Sequence, residues 1–85
     1  MILEERTMRL IAVGASISAN CQPCLQANIA KARQNGCDEQ EIAEAIWAGK
    51  MVRQGAASKM DRFVASLSQA APVKEDPTSQ GCECK

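Results

Sequence analysis

The stretch SANCQPCLQANIAKARQNGCDEQEIAEAI, residues 18–46, holds a helix start, a helix stop and a second start in close succession. Asn20 reads as an N-cap, and Pro23 falls in the first turn, where its missing N–H had no partner to lose. Leu25, Ile29 and Ala32 then recur at helical spacing as far as Gly36, a residue suited to the left-handed position just past a helix end. Asp38 follows with Glu41 three residues on, the pattern of a capping box. Ile42, Ala45, Ile46 and Gly49 share one face of the helix it opens. Gly49 on that face marks either a close helix crossing or a weak point.

Upstream, Glu4 to about Ser18 places Met8, Ile11, Ala12 and Ala15 at helical spacing, with Leu10, Val13 and Ile17 widening the stripe. Such a helix, apolar nearly all round after Arg9, is expected to lie deep. Downstream, Gly55 is expected to interrupt the pattern, and a fourth helix follows with Met60, Phe63, Val64 and Leu67, ended by Pro72. No segment alternates as a strand does. The expectation is an all-α helical domain of about four helices over residues 1–71. A flexible cysteine-containing tail, 72–85, carries the last residues, which are polar and without period.

Ten basic residues balance ten acidic ones, and one Trp and one Phe are the only aromatics. A nucleic-acid binder needs a basic face or stacking rings, so that class is set aside. The longest apolar run, Leu10–Ala19, is too short to span a bilayer, and no basic leader precedes it, so no membrane is expected and the cytoplasm is the expected compartment. An Ala-rich chain of 85 residues hides little surface alone, which points to self-association.

Five cysteines, Cys21, Cys24, Cys37, Cys82 and Cys84, form an odd and clustered set. In a cytosolic chain such spacing points to redox or metal chemistry rather than to a stapled secreted domain. Cys21 and Cys24 lie three apart at a helix start, close enough for a disulfide, where unpaired N–H groups favour a thiolate. The same pair also reads as small buried packing, or as half of a zinc site completed by Cys82 and Cys84. Cys37 reads as buried filler. There is no histidine anywhere in the chain.

LIAVGASISANCQPC (residues 10–24) followed by GCDEQEIAEAIWAGK (residues 36–50) resembles the carboxymuconolactone decarboxylase superfamily, and within it the small alkylhydroperoxidase (AhpD)-like branch. The resemblance runs from about Met8 to Phe63 and includes Glu41, Ile42, Glu44 and Ala45. It implies a helical fold assembled as trimers or hexamers. It also implies that Cys24 attacks peroxide and Cys21 resolves the sulfenic acid as a disulfide. Two family positions depart from the pattern: a histidine four residues after the second cysteine is Asn28 here, and a glutamate twelve before the first is Arg9. Asn28 can hydrogen-bond a thiolate or serve a helix contact, but it accepts no proton near neutral pH. Arg9, if it reaches the pair, lowers a thiol pKa by charge alone.

The resulting expectation is a thiol–disulfide redox protein with weak or no hydroperoxide reduction, using Cys21, Cys24 and Asn28. It needs no cofactor and takes electrons from a thiol reductant protein or a small thiol. The alternatives are a metal- or metalloid-binding module displaying Cys82 and Cys84, and an inactive structural member.

Overall fold

A computed structural model of the chain describes residues 2–67. They form α1 (Glu5–Ser18), α2 (Gln22–Gln34) and α3 (Glu39–Leu67), with no strand among the described residues. Helix α1 packs against both others, while α2 and α3 barely touch each other. The core is small: Val13, Ala32, Cys37 and Ile42 are buried, with Leu10, Leu25, Ile29, Ala45 and Ile46 packed around them. The inward residues expected of α2 and of the start of α3 therefore all meet at one place.

Two helix ends are built alike. After α1, Asn20 adopts a left-handed φ of 56°. Its N–H donates to Ile17 O and the N–H of Cys21 donates to Ser16 O, each at 3.0 Å. After α2, Gly36 takes φ of 86°, with its N–H on Arg33 O and that of Cys37 on Ala32 O. Both are Schellman closures, which satisfy carbonyls left over at the helix end. Asn20 is thus not the N-cap of α2, contrary to the sequence expectation; it closes α1, and Cys21 caps α2. Asparagine tolerates left-handed backbone better than most residues, which is why it serves there.

The capping box at α3 forms as expected. Glu41 N–H donates to Asp38 Oδ1 at 2.8 Å, and Asp38 N–H donates to Glu41 Oε1 at 3.0 Å. Arg6 donates to the same Oε1 at 2.5 Å, tying the start of α1 to the start of α3. The Arg6 hydrogen bond, helped by the Asp38 N–H, holds the Glu41 carboxyl below its ordinary range.

The fourth helix does not exist as a separate element: α3 runs unbroken through Gly55. A glycine inside a helix costs about 1 kcal/mol, too little to break a helix already started by a full box. Nor does α1 lie deep within the subunit, since Ile11 is 53% exposed. The Gly49 face proves to be a close crossing, with Gly14 of α1 directly opposite. Beyond Arg53, every described residue of α3 is exposed, including Met60, Phe63, Val64 and Leu67. Pro72 and the 72–85 segment with Cys82 and Cys84 lie outside the described residues.

Candidate functional site

Because Cys21 is both the last residue of the α1 closure and the cap of α2, its backbone is fixed from two sides. Its Sγ accepts the N–H of Cys24 at 3.3 Å, one of the donors that a helix start leaves without a carbonyl partner. Cys21 and Cys24 are joined as a disulfide, with Cα atoms 5.3 Å apart. Cys24 is exposed and Cys21 half-buried, so the bond sits at the surface. If Cys21 becomes a thiolate, the Cys24 N–H and the helix dipole both stabilise it.

Asn28 stands one turn after Cys24. Its Nδ2 donates to Ser16 Oγ at 3.0 Å, and that buried hydroxyl donates to Ala12 O at 2.7 Å. The amide therefore joins α2 to α1, and among the described residues it makes no hydrogen bond to either sulfur. Arg9 pairs with Glu5 one turn earlier on α1, Nε to Oε2 at 2.6 Å. Cys37 is buried, its thiol 3.6 Å from Arg6 O. Among the described residues, no three of His, Cys, Asp and Glu gather as a metal would require.

One participant escaped the sequence reading. A cleft of about 180 Å³ opens beside Cys21, lined also by Ile17, Asn20, Gln22 and Arg53. Arg53 Nη1 donates to Asn20 Oδ1 at 3.1 Å and approaches Ile17 O at 3.5 Å. The only hint in the sequence is that Arg53 lies four residues past Gly49, on the face that crosses α1.

Comparison with known proteins adds two findings. The model of the carboxymuconolactone decarboxylase family matches residues 2–72. The chain is also similar to "Uncharacterized protein 4 in cox locus" of Paracoccus denitrificans, with 38% identity over 55 residues, 65% of this chain and 50% of that protein. The match thus spans about half the length of that curated relative. No solved structure matches. No described helix is long and apolar enough to cross a membrane.

Proposed function

The chain belongs to the carboxymuconolactone decarboxylase family, and on that premise we propose that it is a thiol–disulfide redox protein working through Cys21 and Cys24. The observation that carries this reading is the surface disulfide at the α2 start, with a backbone N–H aimed at one of its sulfurs. A partner thiolate attacks one sulfur of the pair, and the other leaves with the bonding electrons. A second thiolate then takes the partner off as its own disulfide, leaving the dithiol. Two electrons pass from two thiols to the pair, and the reverse course reduces a disulfide substrate. The same reading places the protein in the cytoplasm, where thiol pools keep such a pair cycling.

Under mild oxidation the Cys21–Cys24 bridge should form first while Cys37 stays reduced, because Cys37 is buried and its thiol faces a carbonyl. Peptide mapping decides this. A dominant bridge to Cys37, or a pair that never cycles against a thiol buffer, would sink the reading.

Hydroperoxide reduction is expected to be weak. It requires a proton for the departing alkoxide or hydroxide, and neither Asn28 nor any histidine supplies one.

The protein is further proposed to work as a homo-oligomer, a trimer or hexamer by the family resemblance. The support is the outer half of α3, where Phe63 is 59% and Leu67 66% exposed and every described residue after Arg53 is exposed. The uncovered segment, residues 54–67, is short enough to gain little stability alone in water, and Met60, Phe63, Val64 and Leu67 form a stripe along it suited to a second copy. Phe63→Glu is expected to weaken self-association by about tenfold, since burying the charge costs more than 1.4 kcal/mol. Light scattering at graded concentrations reads the shift. A variant that associates like the parent removes this face from the interface.

A further inference from the structure

We infer that the cleft beside Cys21 takes a small thiol bearing a carboxylate, with Arg53 as the group that anchors it. The inference rests on the dithiol reading and names the class of its exchange partner.

Among the residues lining the cleft, Arg53 is the one charged side chain. Its Nη1 is committed to Asn20 Oδ1 and Ile17 O, and these bonds fix the plane of the guanidinium. Among the described residues, Nε and Nη2 donate to nothing, and no carboxylate pairs with them. Those two nitrogens form the side edge of the group, whose parallel N–H bonds match the two oxygens of a carboxylate. The chain itself shows this fit elsewhere: Arg33 holds Glu39 through Nε at 2.8 Å and Nη2 at 3.0 Å. A cleft of about 180 Å³ has room for a few heavy atoms, which suits a short acidic thiol.

With its carboxylate on Arg53, the thiol meets Cys21, which lines the same cleft. Its thiolate attacks Cys21 Sγ, the Cys21–Cys24 bond breaks, and the electron pair leaves on Cys24 Sγ. A mixed disulfide between Cys21 and the ligand remains. A second thiolate attacks the ligand sulfur of that bond, releasing the ligand's disulfide and a Cys21 thiolate that keeps the Cys24 N–H. The two thiol protons pass through solvent to the reduced pair.

The test compares rates of disulfide opening in the full chain by 3-mercaptopropionate and 2-mercaptoethanol, each corrected to thiolate concentration. The parent protein should favour the acid by about five- to tenfold, the worth of a charge-assisted pair at a half-exposed site. In Arg53→Gln that ratio should fall to about one, and Arg53→Lys should restore part of it. Should Arg53→Gln fail to fold, cysteamine on the parent protein serves instead, and it should react more slowly per thiolate than mercaptoethanol. A ratio near one in the parent, a ratio unchanged in Arg53→Gln, or cysteamine as fast as mercaptoethanol overturns the inference while leaving the dithiol reading intact. Failure of every thiol to open the bond overturns the dithiol reading, and the inference falls with it.

Discussion

Gly49→Ala is expected to destabilise the subunit by about 2–3 kcal/mol, whereas Gly55→Ala, six residues along the same helix, should stabilise it by about 0.5–1 kcal/mol. At Gly49 an added Cβ would lie 2.8 Å from Ile17 Cβ and nearer still to the carbonyl oxygen of Gly14. A backbone oxygen has no rotamer to escape into, so α1 and α3 must move apart. Their separation also stretches the Ser18 hydroxyl bond to Gly49 O, now 3.1 Å. Gly14 is nearly as tight, with a Cβ there landing 3.0 Å from Ala45 O. Alanine's helix propensity returns about 1 kcal/mol at either site, and at Gly49 the clash outweighs it. At Gly55 no atom lies within 4 Å, so the propensity gain stands alone. In a domain of this size 1 kcal/mol moves the melting point by about 4–8 °C, so circular dichroism melts should separate the two variants widely. If both variants melt alike, the Gly14–Gly49 crossing is not what holds α1 on α3.

What the sequence revealed and what it hid divide along a physical line. The Asp38–Glu41 box, the Gly36 stop and the inward set of α2 were legible because each depends on neighbours within four residues. Asn20 was misread because asparagine suits both an N-cap and a left-handed closure. The choice is made by Cys21, whose sulfur takes the capping role that a side-chain oxygen usually fills. Gly55 looks like a break in the sequence, but a local cost of about 1 kcal/mol cannot stop a helix of 29 residues. The apolar girth of α1 was read as depth, but α2 and α3 cover only part of it and leave Ile11 exposed. Arg53 had only its spacing from Gly49 to mark it, because its place beside Cys21 arises only when α3 crosses the end of α1. The disulfide pair was visible from spacing; the cleft beside it was not.

Asn28→His should raise the rate at which Cys24 reacts with hydroperoxide by ten- to a hundredfold. In the reaction proposed for this pair the O–O bond breaks: the Cys24 thiolate takes one oxygen as sulfenic acid, and the other departs needing a proton. Cys21 then attacks the sulfenic sulfur, expels water and forms the bond seen here. Among the described residues no acid–base side chain is hydrogen-bonded to either sulfur, histidine is absent from the chain, and Asn28 is a neutral amide. An imidazole titrates near pH 6.5 and does both. The site is prepared to hold one. Ser16 Oγ already donates to Ala12 O and accepts from the Asn28 amide at 3.0 Å, so it is free to accept a ring N–H in the same place. That bond leaves the other ring nitrogen as the base, one turn from Cys24. A positioned acid–base group is commonly worth a hundredfold or more; the lower range is expected because the ring must share its orientation with a helix contact. The gain should appear as pH rises through about 6 to 7, as the imidazole loses its charge, and the parent protein should show no such step. Stopped-flow oxidation of the reduced protein across that range reads both quantities. A parent protein already fast with hydroperoxide, or a histidine variant with neither the gain nor the step, would mean that proton transfer is not what limits this pair.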